Sequence, residues 1–407
     1  MKSLVKIAWR SLWRNRRRTI LTAAAVVLAL VLALFMRSMQ FGSYDQMIQA
    51  GVNQVGYLQV HDTGYWENQS IDRAFFYNKN LGEAIKKIPE IQMAIPKLET
   101  FSLASYGKQT KGVLISGINP VLQNKKTHLG RKIVKGSYLS NKQNEVLVGD
   151  NLARYLHISI GDSLVLLGQG YRGITSYGIY TVKGIFHLPS TEINSQVVYM
   201  NLTAAQNFVY PYQKGLLTGI SLYLKDPLKL QEVKKQLSVS LGKHYEIISW
   251  KKVLTDILQS IKVDNISGQV MLLILYIIAA FGIFSTTLMM TMEKRKQYAI
   301  MISIGMQRSR LVWVSILETI IITITGILAG LIIVTPILFY LHANPIPLTG
   351  EMSKVYEQFN IEPILPFAVK AHIFISQTLI IFVLSTLSTL YPIIYLSRFN
   401  ILKAFRH

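Results

Sequence analysis

Four long stretches of the chain carry no charged side chain. They are residues 19–36, 270–292, 319–341 and 373–397. A helix needs about 20 mainly apolar residues to cross the hydrocarbon core of a bilayer, and inside lipid it satisfies its own backbone hydrogen bonds. A cleaved signal peptide is the alternative for the first stretch, but its far end, LFMRSMQ, lacks a small-residue cleavage site. The pattern therefore predicts four transmembrane helices.

A polar region of more than two hundred residues separates the first stretch from the second. Its short runs rich in β-branched and aromatic residues predict strands at 112–117, 145–148, 163–167, 179–186, 196–200 and 220–224. Helices are predicted at 81–88, 150–156, 203–209 and 228–241, with Asp226 as a cap and Pro227 in the first turn of the last one. The expected fold class is membrane α-helical, with four transmembrane helices, plus an α+β extracytoplasmic domain between helices 1 and 2.

The basic residues near the span ends predict the orientation. Fifteen of them, against the single acid Glu293, stand in three segments: before the first span, between the second and third, and after the fourth. The short loop between the third and fourth spans has two lysines against three glutamates. We therefore expect a multi-pass protein with both termini in the cytoplasm and the large domain outside it.

These patterns divide the chain into nine segments. The first is a surface helix with Leu4, Ala8 and Leu12 on one stripe and Trp9 and Trp13 one turn apart, and the alternative is a helix that simply continues into the first span. The segments are 1–18 (cytoplasmic interfacial helix), 19–42 (first span), 43–265 (extracytoplasmic domain), 266–292 (second span), 293–310 (cytoplasmic connection), 311–341 (third span), 342–371 (short outer loop), 372–397 (fourth span) and 398–407 (cytoplasmic tail).

Composition excludes several classes of function. The net charge of +22 suggests nucleic-acid binding, but the densest basic clusters adjoin spans, where anionic headgroups and the orientation rule account for them. The chain has no cysteine, and its eight histidines show no metal-ligand spacing. There is no glycine-rich phosphate loop, nucleophile elbow or paired-carboxylate motif. We therefore expect a non-catalytic protein with no metal and no cofactor of its own.

The most informative local segment is TMEKRKQYAIMISIGMQRSRLVWVSILET, residues 291–319. Charged residues leave the second span, an apolar run AIMISIGM follows, and Arg308 and Arg310 precede the third span. A short amphipathic helix tied to two spans would suit a partner protein. An ordinary basic loop explains the same spacing.

This segment resembles the coupling region of the ABC-transporter permeases of the MacB, FtsX and lipoprotein-releasing LolC/LolE superfamily. The tail YPIIYLSRFNILKAFRH and the segment NEVLVGDNLARYLHISIGDSLVLL are also similar to that superfamily. The absence of a fused ATPase and the size of the outer domain place the resemblance nearest the lipoprotein-releasing branch. The residues expected at the ATPase coupling region are Glu293, Lys294, Arg295, Ile300, Gly305 and Met306.

The resemblance implies a permease subunit of the bacterial inner membrane with a MacB-like periplasmic domain at 43–265. Its implied partners are a cytoplasmic ABC ATPase dimer, which would bind ATP and Mg, a second permease of the same or a related chain, and membrane lipids. An acylated cargo protein and a periplasmic acceptor would complete the system. The implied function is lipoprotein release. The alternatives are MacB-like efflux, FtsX-like mechanotransmission, and a membrane-anchored receptor without transport.

Some residues within the spans are also candidates for function. Glu318 is an ionisable group at the rim of the third span, where we expect a coupling role or solvation by headgroups. Gly326 and Gly330 form a small-xxx-small step that would pack helices within one subunit or between permeases. Six flexible or aromatic apolar residues are expected to line a lipid cavity for acyl chains: Phe35, Met36, Met39, Phe41, Phe281 and Phe284. The alternative is that these are ordinary lipid-facing positions.

Overall fold

The computed structural model describes residues 2–140, 142–188, 191–351, 353, 356 and 363–397. The predicted tail 398–407, which carries part of the superfamily resemblance, lies outside these residues. The helices are α1 (Lys2–Arg14), α2 (Arg16–Val55), α3 (Tyr65–Asn68), α4 (Lys79–Lys86), α5 (Pro120–Thr127), α6 (Asp150–Leu156), α7 (Thr191–Gln196), α8 (Leu202–Val209), α9 (Leu230–Leu241), α10 (Trp250–Val253), α11 (Thr255–Glu293), α12 (Arg295–Ser303), α13 (Arg308–Ala343), α14 (Ala371–Leu387) and α15 (Leu390–Ser397).

The strands are mostly short. They are β1 (Leu58–Asp62), β2 (Phe75–Phe76), β3 (Ile91–Tyr106), β4 (Gln109–Ile118), β5 (Ile133–Gly136), β6 (Glu145–Gly149), β7 (Ser163–Gln169), β8 (Thr175–Phe186), β9 (Val197–Asn201), β10 (Leu216–Leu217), β11 (Gly219–Leu224), β12 (Tyr245–Ser249), β13 (Ile346–Pro347) and β14 (Ile364–Leu365). Contacts divide the chain into a membrane unit (Met1–Asp45, Ser260–Pro347 and Ile364–His407) and an extramembrane unit (Gln46–Gln259 and Leu348–Pro363).

The described part of the membrane unit contains four helical segments long and apolar enough to cross a membrane: α2, α11, α13 and the pair α14–α15. Their shared core is built from aliphatic and aromatic side chains such as Leu30, Leu34, Val334 and Ile381. Three of these helices, α2, α11 and α13, extend well beyond their charge-free stretches. α2 ends only where Gly56 adopts a left-handed backbone (φ 84°), a conformation that glycine takes without steric cost.

The fourth span, predicted over residues 372–397, is broken into two helices. α14 ends at Leu387 and α15 begins at Leu390. Pro392 has no N–H to donate to the carbonyl of Ser388, four residues earlier, so that regular helical bond is lost. At the break, the hydroxyl groups of Ser388 and Thr389 donate to the carbonyls of Ser385 and Thr386, at 2.6 and 2.7 Å.

α1 is a separate helix, because the chain turns at Asn15 before α2 begins. The expected stripe is present: Ala8 and Leu12 are buried, and Leu12 packs with Met290 and Ile322. Trp9 and Trp13 are exposed and meet edge to face with ring centroids 6.4 Å apart. α1 therefore has the amphipathic character expected of an interfacial helix.

The extramembrane unit is α+β, and its main described sheet has ten strands. Nine follow the order β12-β1-β11-β3-β4-β9-β6-β8-β5, while β7 pairs with β3 and β8. Most neighbours are antiparallel, whereas β4–β9 and β6–β8 are parallel. All predicted strands and helices of this domain are present, with ends shifted by up to four residues, except that 227–229 forms a 3-10 turn capped by Asp226 before α9.

The 16-residue strand β3 was not predicted. It contains Pro96, whose backbone has no N–H to donate to a neighbouring strand. In a sequence, a proline within such a run of residues argues against a strand. In the sheet, Pro96 lies opposite Ile220 of β11. The cores on the two faces of the sheet are apolar, with fully buried residues such as Leu98, Leu147 and Leu222.

Candidate functional site

The segment at 291–319 folds as a short helix, α12, between two long helices. Lys294, Tyr298 and Ala299 are buried, whereas Ile300 is 50% exposed and Ile304 is 82% exposed. Positions four residues apart share a face of a helix, so α12 has one face packed against its own chain and one face directed outward. This is the amphipathic helix that the spacing suggested.

The outward face continues into the start of α13. Its exposed members combine two isoleucines with basic side chains, and we name the set the α12–α13 surface: Lys296, Ile300, Ile304, Arg308 and Arg310. An apolar centre with a charged rim is the composition of a protein-binding patch. Of this set, the sequence had singled out only Ile300 as a coupling residue.

A buried ion pair fixes the inner face of α12. The Lys294 ammonium lies 2.7 Å from the Glu318 carboxylate, and their side chains are only 1% and 6% exposed. Neither charge would be stable there alone, because desolvation of an unpaired charge costs several kcal/mol. Both residues were candidates from the sequence. Because they lie 24 positions apart, nothing in the local pattern predicted that they pair.

Tyr298 adds a second attachment. It is buried, and it forms a side-chain hydrogen bond with Ser315 of α13. Burial and the nearby Glu318 carboxylate raise the pKa of the Tyr298 hydroxyl, so this group stays protonated and neutral. Tyr298 also packs with Leu311 and with Leu396 of α15. The helical spacing from Lys294 to Tyr298 was the available sequence signal for this contact.

Gly305 ends α12 in a specific turn. Its backbone is left-handed (φ 99°), and the Gly305 N–H donates to the Ile302 carbonyl at 2.9 Å. The Met306 N–H donates to the Met301 carbonyl at 3.0 Å, which completes a Schellman motif. Met301 and Met306 both pack against the Tyr298 cluster. Gly305 and Met306 therefore shape the turn between α12 and α13.

The remaining predicted coupling residues lie at the start of the connection. Glu293 forms an ion pair with Arg18 of α2. Arg295 is half-buried and also interacts within the protein. Both therefore attach α12 to its own chain, so the exposed contact area lies further along the helix.

Gly326 and Gly330 lie where α13 packs closely on α2. A Cβ atom at Gly326 would be 2.9 Å from the Val26 Cβ, and one at Gly330 would be 3.1 Å from the Leu30 Cδ2. The structure thus places this small-residue step between two helices of one chain.

The residues proposed for a lipid cavity occupy two places. Phe35, Met39 and Phe41 pack into the core of the membrane unit, where the Phe35 ring lies 4.9 Å from Phe367, and Met36 is half-buried. Phe281 and Phe284 instead line an apolar groove of about 440 Å³ between α11 and α14. The structure does not bring the two groups together within the described groove.

A polar cluster that the sequence did not reveal joins α2 to α11. Arg37 donates to Asn265 at 2.9 Å, and the Tyr44 hydroxyl donates to the Asp264 carboxylate at 2.7 Å. Gln40 also donates to Asp264, at 3.2 Å. The cluster holds the two helices together beyond the apolar part of α2.

Two family models match the chain. The MacB-like periplasmic core domain covers residues 19–239, and the FtsX-like permease C-terminal model covers residues 269–401. The first covers more than half of the chain, and the second includes α12, the α12–α13 surface and Glu318.

Curated proteins are also similar. The lipoprotein-releasing system transmembrane protein LolC of Xylella fastidiosa (strain 9a5c) is 27% identical over 253 residues, 60% of each chain. LolC of Buchnera aphidicola subsp. Schizaphis graminum is 24% identical over 81% of this chain and 79% of its own. The putative hemin transport system permease protein HrtB of Staphylococcus haemolyticus is 24% identical over 58% and 62%. The chain thus spans only 60% of the length of the first LolC it matches.

Proposed function

The chain belongs to the family of FtsX-like permeases that carry a MacB-like periplasmic core domain, and we propose that it releases lipoproteins from the bacterial inner membrane as part of an ABC transporter. The structural observation that carries the ABC-transporter part of this proposal is the α12–α13 surface. It exposes Ile300 and Ile304 on a helix that an ion pair and a buried tyrosine hold in place. Exposed apolar side chains on a fixed element are best explained by a protein partner that covers them.

The partner we propose is a dimer of separate ABC ATPases, which would bind ATP and Mg. Since the rim of the surface is basic at Lys296, Arg308 and Arg310, the complementary groove on the ATPase would be apolar with an acidic rim. The chain itself would be the non-catalytic subunit, and a second permease, the same chain or a sister, would complete the core.

Binding is tested by co-purification with the ATPase. We expect Ile300→Asp with Ile304→Asp to abolish the complex, because two carboxylates would then be desolvated in the interface. The control is Val121→Asp, at a position of the extramembrane unit that is 70% exposed. An unchanged complex in the Ile300/Ile304 double variant would remove the proposed role of the surface.

The proposal requires the α12–α13 surface to face the cytoplasm and the extramembrane unit to face outward. The chain lacks cysteine, so a single introduced thiol reports its own side of the membrane. In intact cells with a permeabilised outer envelope, an impermeant maleimide should label Tyr212→Cys. Ile304→Cys should react only after the inner membrane is opened. The reverse pattern would contradict the proposal.

The lipoprotein cargo is inferred from the LolC relatives. A periplasmic acceptor would receive it, and lipids would surround the spans. Mass spectrometry of the purified complex should find acylated protein bound. Small amphiphiles alone, over repeated preparations, would contradict lipoprotein release.

Efflux of small amphiphiles is the second candidate. It is supported by the groove at Phe281 and Phe284, which is apolar, open and about 440 Å³ in volume, and by the similarity to HrtB. Such a groove suits a flat or flexible apolar ligand. The same mass-spectrometric inventory separates the two candidates, because efflux predicts the small ligand and no acylated protein.

A further inference from the structure

The extramembrane unit contains a polar cleft lined by several basic side chains. It has a volume of about 490 Å³ and lies between residues 46–54 of α2 and the turn that follows α5. Its lining includes the amides of Gln49 and Asn53 and the basic side chains of Lys126, His128, Arg131 and Lys132. None of the residues that line it in the described part of the chain is acidic. We name it the basic cleft.

The local fold brings these cations together. α5 ends at Thr127, His128 turns the backbone into the left-handed region (φ 52°), and a 3-10 turn follows at Leu129–Lys132. The Asn124 side chain accepts a hydrogen bond from the Gly130 N–H at 2.7 Å, which closes the turn. The C-terminal helix dipole accounts for a lysine at the end of α5, but not for Arg131 and Lys132 beyond it.

Two other partly buried lysines of this unit each lie close to a carboxylate. The distances are 3.0 Å for Lys97 and 3.3 Å for Lys183. Lys126, in contrast, has the ring of Tyr223 at 4.7 Å and no carboxylate within 4.0 Å among the residues described. Burial lowers the pKa of Lys126, because its charged form is partly desolvated without a counter-ion.

We propose that the basic cleft binds the phosphate group of an anionic ligand, as a free phosphate or as the headgroup of a phospholipid. Three basic side chains, Lys126, Arg131 and Lys132, and the amide donors around one cavity match the several acceptor oxygens of a phosphate. The volume exceeds that of a phosphate ion alone and accommodates an attached glycerol. This site is separate from the α12–α13 surface and does not depend on the proposed transport cargo.

The test uses the full chain in a neutral detergent and isothermal titration calorimetry. The probes are inorganic phosphate, short-chain phosphatidylglycerol below its micellar concentration, and short-chain phosphatidylcholine as the zwitterionic comparison. We expect saturable binding of at least one of the first two probes. Binding of inorganic phosphate identifies a site for the free ion, whereas binding of phosphatidylglycerol alone identifies a headgroup site.

The variant Lys126→Gln with Arg131→Gln should weaken that binding by at least about ten-fold, since each charge-assisted contact contributes roughly a factor of ten. The matched control removes two exposed cations elsewhere, Lys108→Gln with Lys235→Gln, and should leave affinity unchanged. Equal thermal unfolding midpoints establish that both variants fold. The proposal is overturned if neither probe saturates, if phosphatidylcholine binds equally well, or if both double variants lose affinity alike.

Discussion

The two units of the protein each bury a glutamate, and they stabilise it differently. Glu318 in the membrane unit is paired with Lys294, itself buried, at 2.7 Å. Glu145, at the start of β6 in the extramembrane unit, accepts hydrogen bonds from the Ser140 N–H and hydroxyl at 3.0 and 2.7 Å, and its other oxygen lies 3.3 Å from Lys183. Lys183 is 37% exposed, so water shares in its solvation.

The two glutamates therefore have different roles: Glu318 connects two elements, whereas Glu145 acts locally. Glu318 and Lys294 lie on separate segments, and each is the buried counter-charge of the other, so the pair links α12 to α13. Glu145 is satisfied mainly by the chain five residues before it and by a side chain that reaches solvent. A buried, mutually dependent pair sets the position of one element on another, whereas the Glu145 arrangement stabilises the start of one strand.

The largest effect is expected from breaking the membrane pair. Glu318→Gln leaves the Lys294 ammonium buried without its counter-charge, which should destabilise the protein by about 3–5 kcal/mol. The measurement is thermal unfolding in detergent, together with protease cleavage at α12 in the folded state. Both should show that α12 has loosened.

Replacement of both partners provides the control. Lys294→Met with Glu318→Leu removes the charges together and should recover most of the stability, because apolar side chains of similar volume pack without a stranded charge. A single variant as stable as the unchanged protein would show that the pair does not hold α12.

A smaller effect is expected at Glu145. Glu145→Gln should lower the free energy of unfolding by about 1–2 kcal/mol, the range for a weakened set of hydrogen bonds. The loss is small because water can solvate the Lys183 ammonium. Unfolding of the Glu145 and Glu318 variants under one set of conditions measures the contrast directly. A larger loss at Glu145 would reverse the interpretation of the two sites.

Glu145 is also expected to make the stability of the protein depend on pH. Burial alone would raise the pKa of Glu145, but the hydrogen bonds from Ser140 and Lys183 and the lysine charge outweigh it and lower the pKa below the usual 4.5. The unfolded chain therefore takes up this proton at higher pH than the folded chain, so stability present above pH 4.5 is lost as pH falls through the folded pKa. Unfolding midpoints between pH 5 and 3 should fall more steeply for the unchanged protein than for Glu145→Gln. Parallel curves would contradict this.

The smallest effect concerns the turn that completes α12. Gly305→Ala places a Cβ on a left-handed backbone and should cost about 1 kcal/mol. Gly282→Ala, inside α11, is the matched control, because a Cβ there meets no atom within 4 Å and alanine favours helix. We expect a lower unfolding midpoint only for the Gly305 variant. Equal midpoints would show that the turn tolerates a side chain.

The apolar pattern was sufficient to predict the spans, because the membrane imposes long-range regularity on the sequence. For α12 the spacing left an ordinary basic loop as the alternative, and the structure shows a helix. Within the extramembrane unit, α6 was predicted with its observed ends. These elements follow from local preference and periodicity.

Tertiary contacts were not predictable in the same way. The strand β3 exists because β4, β7 and β11 pair with it, although Pro96 argues locally against a strand. The Lys294–Glu318 pair joins positions 24 residues apart, and the basic cleft joins α2 to the turn after α5.

Site-specific crosslinking tests whether the α12–α13 surface binds an ATPase subunit. A photoreactive maleimide is attached to Ile304→Cys, or to Tyr212→Cys as control, in native membranes of a chain that otherwise has no thiol. We expect a crosslink from residue 304 to a polypeptide that mass spectrometry identifies as an ABC ATPase, and none from residue 212. An ATPase crosslink from residue 212, or no crosslink from residue 304 in membranes where the two proteins co-purify, would show that the ATPase does not bind this surface.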